Sequence, residues 1–367
     1  MELNAAHKTF FTLLQAGLWS RNPESACFPL SPEMWEQIYK MAHKQTVEGI
    51  VFDGIMQLPE HHFPPRDLLL KWVVEVNSIE ERNKRMNKAV AELYELFTKN
   101  HIPVLLRKGQ GVAAYYENPL HRVCGDIDLF FPDKENFEQA GSLAEKNGAK
   151  IGEHERSGDC YMWRGFFVEH HRHLLDIYNP FLFGYLNRMQ QEEYAHSVDI
   201  DIDGQNITLP SPVLTHLSVN AHILKHLLAF GVSIRQLCDS ARVCYAYHDQ
   251  IEAESLKKIY RKLGIYRWVL LLNRLLVDNL GMPEAYLPFP LAPRQKADWM
   301  MKDILRGGNF GQYGGLFSKE TDEPQPRKYK LLHSFVIFCR YVRYAPGEAC
   351  WFPVMHVYSD IRNWFNR

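Results

Sequence analysis

The sequence lacks the features that mark secreted, membrane-spanning or strongly charged proteins. Its 42 basic and 43 acidic residues leave a net charge of −1, so no overall field attracts nucleic acid. No stretch approaches the roughly 18 continuous apolar residues of a membrane span. The segment MELNAAHKTFF lacks the basic stretch and apolar core of a secretory signal. We therefore expect a soluble, cytoplasmic protein without a membrane span.

Cysteine is sparse and carries no recognisable pattern. The seven cysteines are an odd number, and no two have Cys-x-x-Cys spacing; they are Cys27, Cys124, Cys160, Cys238, Cys244, Cys339 and Cys350. This pattern excludes a disulfide framework and a cysteine-based zinc site, and it indicates reduced thiols. The 367 residues, 46% of them apolar, are enough for a large core and for two or three domains.

Hydrophobic periodicity divides the chain into four predicted regions without internal repeats. We predict a helical region over 1–100, an α/β core over 101–210, a helical domain over 211–305, and a linker with a basic-aromatic tail helix over 306–367. The predicted fold class is therefore α+β, with helical regions on both sides of a mixed sheet.

Local signals place helices and strands within these regions. Ser31-Pro32-Glu33 predicts the start of an amphipathic stretch reaching about Met56, and a helix of about thirty residues follows Pro65 and stops near Asn100. The segment Gly111 to Tyr116 is predicted as a helix, as is the segment from Asp133 to about Asn147. The predicted strands are PVLLRKG (103–109), DIDLFF (126–131), Lys150-Ile151, Tyr161 to Arg164, Gly165 to Glu169 and Leu174 to Tyr178.

Three aspartates in strand-like surroundings carry the chemical signal. Side chains alternate along a strand, so Asp126 and Asp128 project from one face. Two carboxylates on one face repel each other unless a cation joins them. Asp176 is likewise an acid within an apolar run, and a strand beside the first would bring all three acids together. The pattern predicts a site for one or two Mg²⁺ ions, which prefer oxygen ligands.

The segment before these acids has the character of an anion site. A strand that ends in Lys108-Gly109-Gln110-Gly111 and enters a helix offers backbone N–H groups to a phosphate. Lys108 and Arg122 add positive charge at the same edge. Metal-binding carboxylates facing an anion site suit the triphosphate of a nucleotide.

The segment KGQGVAAYYENPLHRVCGDIDLFFP resembles the signature of the uncharacterised nucleotidyltransferases, within the polymerase-β-like superfamily that includes kanamycin nucleotidyltransferase. The resemblance covers roughly residues 95–250, through LLDIYNPF and HLSVNAHILKHLLAFGVSIRQLCDSARV, and it implies a bacterial protein with a polymerase-β-like core. Where superfamily members have serine or a second glycine, this chain has Gln110, and the spacing from Gln110 to Asp126 is slightly long. Many relatives also carry histidine two residues after the third acid, where this chain has Tyr178.

The resemblance implies roles for matching positions. Asp126 and Asp128 would bind two Mg²⁺ ions, with Mn²⁺ as an alternative, and Asp176 would complete one metal site and act as a base. The nucleotide-binding residues would be Lys108, Gly109, Gln110, Gly111, Arg122 and Gly125, and the cleft wall would include Tyr178, Lys225, His226, Arg235 and Asp239. The implied reaction transfers a nucleoside monophosphate from a nucleoside triphosphate, with ATP the expected donor, to a hydroxyl acceptor, releasing pyrophosphate.

Other acidic, glycine-rich and histidine patterns have simpler interpretations. Asp199, Asp201 and Asp203 precede Gly204, which predicts a solvated hairpin. The run RGGNFGQYGG (306–315) lacks the strand and Lys-Ser/Thr of a phosphate loop and is interpreted as a linker. His222 and His226 lie one helical turn apart, but no third ligand accompanies them.

Two further function classes are compatible with the sequence. A nucleotide-binding regulatory module would keep the cleft without turnover, and a structural or interaction protein would use the acids only as a solvated surface. A polymerase acting on nucleic acid ends is not expected, because the chain has no basic stripe. The acceptor and the oligomeric state are not encoded in any motif that we identify.

Overall fold

The computed structural model describes residues 4–150, 160–229, 231–291, 297–309 and 335–365, with backbone alone for 25 and 356–365. Four helices precede the sheet: α1 (Ala5–Leu18), α2 (Pro32–Lys44), α3 (Glu48–Met56) and α4 (Arg66–Lys99). Ser31 caps α2 through its side chain and Asn100 ends α4, as the sequence predicts. The stretch predicted from Ser31 to Met56 is two helices, because the chain turns at Thr46, where φ is +53°.

The central part combines a four-stranded mixed sheet with a separate hairpin. Its elements are β1 (Leu105–Arg107), α5 (Gly109–Ala113), β2 (Ile127–Phe130), α6 (Lys134–Lys146), β3 (Cys160–Trp163), β4 (Phe166–His171), α7 (Phe183–Tyr194), β5 (Val198–Ile202) and β6 (Gln205–Leu209). The strand order is β1-β2-β4-β3, with β2 parallel to β4 and the other neighbours antiparallel. The β5–β6 pair is the predicted hairpin.

The helices after the sheet pack with those before it. They are α8 (Pro212–Ala229), α9 (Ile234–Tyr247), α10 (Ala253–Lys262), α11 (Tyr266–Leu280), α12 (Asp298–Gly307) and α13 (Pro346–Phe365), and residues 335–341 are also helical. Apolar side chains of both helical regions form one core, while a second core lies around the sheet, α6 and the hairpin. The protein is thus α+β, mostly helical with a small mixed sheet.

Two predicted elements of the central region differ from the structure. The helix predicted over Gly111–Tyr116 begins earlier, at Gly109, and ends at Ala113. The segment Leu174–Tyr178 is not a strand. Side chains satisfy its backbone instead, because Arg107 and Ser218 donate to the Leu174 carbonyl oxygen and Glu348 accepts from the Tyr178 N–H.

Parts of the predicted linker and tail lie outside the described residues. These parts are residues 310–334, which contain most of the linker and the first half of the tail helix, and Ile151 of the predicted Lys150-Ile151 strand. Lys150 itself forms an isolated antiparallel bridge with Met162. Within the described part of the chain, every helix is too short or too polar to cross a lipid bilayer.

Candidate functional site

A polar cavity of about 410 Å³ lies between the sheet edge and helices α8 and α9. On the sheet side it is lined by Lys108, Gly109, Gly125, Asp126, Asp128, Glu169 and His171. On the helix side it is lined by His222, Lys225, His226, Arg235 and Asp239, with Asp176 and Arg122 also reaching it. The structure therefore brings most of the predicted site residues to one cavity.

The acids on the sheet side come from two parallel neighbouring strands. Asp128 on β2 is the register partner of Glu169 on β4, so both side chains lie on the same face. His171 follows Glu169 by two residues and shares that face. The ligand-capable atoms of Asp128, Glu169 and His171 all lie within 4.8 Å of one another, and His171 Nε2 donates to Asp128 Oδ1 over 2.5 Å. Two carboxylates and one imidazole at these separations could hold a metal ion.

The three acids on the sheet side differ in the direction of their pKa shifts. Burial and the neighbouring Asp128 raise the pKa of Asp126, and the same two causes raise the pKa of Glu169. Burial would also raise the pKa of Asp128, but Lys108 and His171 outweigh it and hold that pKa well below its usual range. Burial and the neighbouring Asp128 therefore oppose ionisation of Asp126 and Glu169, and a bound divalent cation would favour it. The residues present fit such an ion.

Asp176 is in the same cavity but faces cations instead of the other acids. Its carboxylate accepts from Arg107 Nη2 at 2.7 Å, His222 Nδ1 at 3.1 Å and Lys225 Nζ at 3.2 Å. Lys108 Nζ lies 3.8 Å from Asp176 Oδ2 and also 3.8 Å from Asp128 Oδ2, so one ammonium group separates the two acids. Burial opposes ionisation of Asp176, yet the nearby cations hold its pKa well below the usual value.

At the start of α5, only Lys108 and Gly109 of the segment Lys108–Gly111 face the cavity. Lys108 and Gly109 adopt left-handed backbone conformations, with φ of +57° and +48°. A Cβ at Gly109 would lie 3.3 Å from the Asp126 carbonyl oxygen, so glycine permits this close approach. Gln110 is buried and donates to Asn87 Oδ1 at 2.6 Å. Gly111 packs against Leu209, so neither of these last two residues lines the cavity.

Two arginines fix the segment that leads to Asp126. Arg122 forms a bidentate pair with Asp239, with N–O distances of 2.9 and 2.7 Å. The Tyr116 hydroxyl donates to Asp239 Oδ1 at 2.6 Å, so this carboxylate is fully used. Arg235 Nη1 donates to the Val123 carbonyl oxygen at 2.5 Å. Their direct role in the structure is to hold the 122–125 segment against α9.

Of the remaining wall residues, Lys225 is the most open to solvent. Its side chain is 39% exposed while it pairs with Asp176. Burial, with the charge of Lys225 second, lowers the pKa of His226 to about 4, so its imidazole is neutral at physiological pH. Tyr178 does not line the cavity; its ring packs edge-on against Phe352 of α13, with centroids 5.3 Å apart.

Glu169 and His171 are the functional candidates that sequence reasoning missed. The strand at Phe166–His171 alternates buried and half-buried residues, and Glu169 and His171 fall on the half-buried face. In the sequence, His171 lies two residues after Glu169, whereas Tyr178 stands at the corresponding position after Asp176. Acid-histidine spacing therefore makes Glu169, in the preceding strand, a candidate for the third acid.

The simpler interpretations of the Asp199–Asp203 motif and of the His222–His226 pair agree with the structure. Asp199, Asp201 and Asp203 lie exposed on the hairpin. His222 and His226 have ring centroids 4.2 Å apart, and neither belongs to either of the potential metal-ligand groups found among the described residues. All seven cysteines are free thiols.

Comparison with known families identifies the broader group. A family model described as "Uncharacterised nucleotidyltransferase" matches residues 31–281, about two thirds of the chain. The chain belongs to this uncharacterised nucleotidyltransferase family. The match extends beyond the segment of resemblance in the sequence, since it includes α2–α4 before the sheet and α10 and α11 after it.

Other comparisons add little to the family assignment. A crystal structure of an antigenic nucleotidyltransferase-like protein from Paracoccidioides brasiliensis is 14% identical and covers 54% of this chain and 93% of its own, with a TM-score of 0.34. A TM-score of that size does not establish a shared fold. The comparison with curated proteins finds no match. The nucleotidyltransferase assignment therefore depends on the family model.

Proposed function

We propose that the protein is a Mg²⁺-dependent nucleotidyltransferase that moves a nucleoside monophosphate from a nucleoside triphosphate, ATP being the expected donor, to a hydroxyl acceptor. The observation that carries the proposal is the juxtaposition of Asp128 and Glu169 on parallel strands, beside Asp126 and facing the Lys108–Gly109 turn. Family membership supports the reaction class. A polymerase-β-like origin for the core is part of the same proposal.

In this proposal Asp126, Asp128 and Glu169 are the metal-binding acids. Glu169 replaces Asp176 in that role, because Glu169 shares a cluster with Asp128 whereas Asp176 is paired with Arg107, Lys108 and Lys225. Two Mg²⁺ ions, or Mn²⁺ in view of the imidazole of His171, would neutralise phosphate oxygens and polarise the acceptor hydroxyl when bound. His171 orients the carboxylate of Asp128 through its hydrogen bond.

The nucleotide triphosphate is assigned to the space between these acids and helix α8. Lys108 and Lys225 would contribute positive charge there, and Gly109 and Gly125 leave room for phosphate oxygens at the cavity wall. Gln110 and Gly111 support the turn from behind through their contacts with α4 and the hairpin. Arg122, Arg235 and Asp239 would keep the 122–125 segment in place, and His226 would add a neutral imidazole to the wall.

The bond changes are those of in-line displacement. The acceptor oxygen forms a bond to the α-phosphorus, the bond from that phosphorus to the bridging oxygen of the β-phosphate breaks, and pyrophosphate leaves with its electron pair. Glu169, whose pKa is raised by burial and by Asp128, would accept the proton of the acceptor hydroxyl.

A catalytically silent nucleotide-binding module is the second candidate. The observation that favours it is the Lys108 ammonium group lying between Asp128 and Asp176. A permanent side-chain cation there would allow triphosphate binding without a complete metal site. This candidate predicts nucleotide binding that does not need Glu169 and does not release pyrophosphate.

The test is transfer of label from [α-³²P]ATP, and then from the other three triphosphates, in the presence of Mg²⁺ and fractionated small-molecule, RNA and protein acceptors. Pyrophosphate release is followed in parallel. Asp128→Asn should lower both signals by about 10³-fold, because a ligand worth several kcal/mol is removed from the transition state. The matched control is Asp199→Asn, an exposed hairpin acid that should leave both signals unchanged. Undiminished turnover by Asp128→Asn would refute the mechanism, and Mg²⁺-nucleotide binding without any pyrophosphate from the wild type would favour the silent module.

A further inference from the structure

A second acid-histidine cluster lies outside the cavity, where three of the N-terminal helices meet. His43 near the end of α2, Glu48 at the start of α3 and Glu75 within α4 bring their ligand-capable atoms within 4.8 Å of one another. His43 Nδ1 lies 3.1 Å from Glu48 Oε1 and 2.9 Å from Glu75 Oε1. None of these residues lines the proposed nucleotide cavity.

One atom of this cluster has no partner of its own. Glu48 is only 5% exposed, and its Oε2 atom is fully buried without a hydrogen-bond partner among the described residues. A buried carboxylate oxygen left unpaired is costly, and native proteins rarely keep one without a reason. This orphaned oxygen points to a missing cation.

The charge of the cluster agrees with a missing cation. Two carboxylates share one imidazole, so the group carries excess negative charge even when His43 is protonated. A divalent cation would balance the charge of both carboxylates.

We propose that His43, Glu48 and Glu75 form a binding site for a divalent cation of the Zn²⁺ class. An imidazole nitrogen with two carboxylate oxygens suits Zn²⁺ better than Mg²⁺, which prefers oxygen ligands and keeps its waters. Zn²⁺ bonds of about 2.0 Å in a tetrahedron separate neighbouring ligand atoms by about 3.3 Å. The 2.9 and 3.1 Å separations therefore need to widen by only a few tenths of an ångström.

The surroundings supply the other elements of such a site. The Tyr39 hydroxyl donates to Glu75 Oε2 at 2.5 Å, which orients that carboxylate in the way that outer partners orient metal ligands. The His43 side chain is 55% exposed, so an ion can enter and a water can complete the tetrahedron. Binding would join α2, α3 and α4 at one point and would release the proton from His43.

The test compares Zn²⁺ and Mg²⁺ binding to the full-length wild type with binding to two single variants, by dialysis and elemental analysis. Glu48→Gln should lose one equivalent of Zn²⁺, and His43→Ala, at a half-exposed position that tolerates truncation, should lose the same equivalent. Their Zn²⁺ affinity at this site should fall at least about 100-fold, because a direct ligand is removed. Mg²⁺ should not occupy the site in any of the three proteins.

The matched control is Glu169→Gln, which removes a carboxylate from the other acid-histidine cluster. It should keep the Zn²⁺ equivalent that His43→Ala loses, and the rise in unfolding midpoint that Zn²⁺ causes in the wild type should be smaller in His43→Ala. The proposal is overturned if His43→Ala and Glu48→Gln retain all the Zn²⁺ that the wild type binds, or if Glu169→Gln binds none. Pyrophosphate release is not a readout here, so the result is independent of the proposed reaction.

Discussion

The ammonium group of Lys108 lies between the carboxylates of Asp128 and Asp176, 3.8 Å from an oxygen of each. Burial is the largest influence on its pKa and lowers it, the nearby Arg107 lowers it further, and the acids oppose both. In the proposed reaction, this ammonium group would move toward the triphosphate when metal ions bind beside Asp128. Asp176, which also contacts Lys225 and His222, would then position the cations that bind phosphate.

Kinetics of Glu169→Gln and Asp176→Asn distinguish the two candidates for the third metal-binding acid. Glu169→Gln should lower kcat by about 10²- to 10³-fold, because it removes a metal ligand and proton acceptor. Asp176→Asn should mainly raise the KM for the nucleotide, by about tenfold, because Lys108 and Lys225 lose their orientation. Steady-state pyrophosphate release at varied nucleotide concentration measures both parameters.

Asp176→Asn should also lower the unfolding midpoint, because Arg107 is 1% exposed and would lose its ion-pair partner. Glu169→Gln leaves no buried cation without its partner, so it should not lower the unfolding midpoint in this way. The reverse kinetic pattern, a kcat effect in Asp176→Asn and a nearly unchanged Glu169→Gln, would return the third-acid role to Asp176.

Helices α1 and α3 pack closely because each has a glycine at their contact. A Cβ at Gly54 would lie 2.0 Å from the Leu13 carbonyl oxygen, and a Cβ at Gly17 would lie 1.8 Å from the Ile50 carbonyl oxygen. These backbone oxygen atoms cannot move aside as the end of a flexible side chain can. Gly54→Ala should therefore destabilise the protein by about 3 kcal/mol, measured by urea unfolding with far-UV circular dichroism.

Gly184→Ala is the matched control for this contact. Gly184 is also helical, near the start of α7, but a Cβ there meets nothing within 4 Å. Alanine should be neutral or should stabilise by up to about 1 kcal/mol, because it restricts the unfolded chain. Equal losses in the two variants would show that the α1–α3 approach is not the cause.

Glu348 of helix α13 binds the backbone two and three residues after Asp176. The Glu348 carboxylate accepts the N–H groups of Tyr178, at 2.6 Å, and Asn179, at 3.2 Å. Burial raises the pKa of Glu348 from 4.5 to about 7, and the two hydrogen bonds reduce this shift. Between these values the folded protein binds more protons than the unfolded chain, so its stability falls as pH rises from 4.5 to 7 and then levels off.

This linkage amounts to up to about 3 kcal/mol. Urea unfolding of the wild type and Glu348→Gln at several pH values across the window measures it, and the difference between the two isolates the contribution of this carboxyl. The difference should change steadily between pH 4.5 and 7 and should be constant above about pH 8. A difference that does not vary with pH would mean that Glu348 has an ordinary pKa.

The elements also show which structural features are readable from sequence. Helix α4, the Asp133-capped α6 and the β5–β6 hairpin follow local signals, namely a long apolar stripe, a side-chain cap and an Asp-Gly turn. The pairing of β2 with β4 joins residues about forty positions apart, and no local signal specifies it. Without that pairing, Glu169 cannot be placed beside Asp128, although its spacing from His171 marks it as a candidate acid.

The details of the glycine turn were equally beyond sequence reasoning. Four successive residues, Lys108 to Gly111, have the composition of a phosphate loop, but only the first two face the cavity. The burial of Gln110 against Asn87 depends on where α4 lies, which is a tertiary contact. Composition could therefore indicate the kind of site but not which residues reach it.

For the whole molecule, the near-zero net charge means that ligand attraction is local. Mg²⁺ with ATP, at concentrations about 100-fold above the dissociation constant, should stabilise the folded state by about 2.7 kcal/mol and raise the unfolding midpoint by a few degrees. A fluorescence thermal scan measures this shift. Asp128→Asn should abolish the Mg²⁺-dependent part, and Asp199→Asn should retain it.

The Arg122–Asp239 pair has a practical consequence for work with shorter pieces of the protein. Both groups are buried, Arg122 belongs to the sheet region and Asp239 to α9. A fragment truncated after residue 210 would leave a guanidinium inside the fold without its counter-ion, and water would have to enter around it. A shorter expressed protein intended to keep the proposed nucleotide cavity should therefore continue through α9.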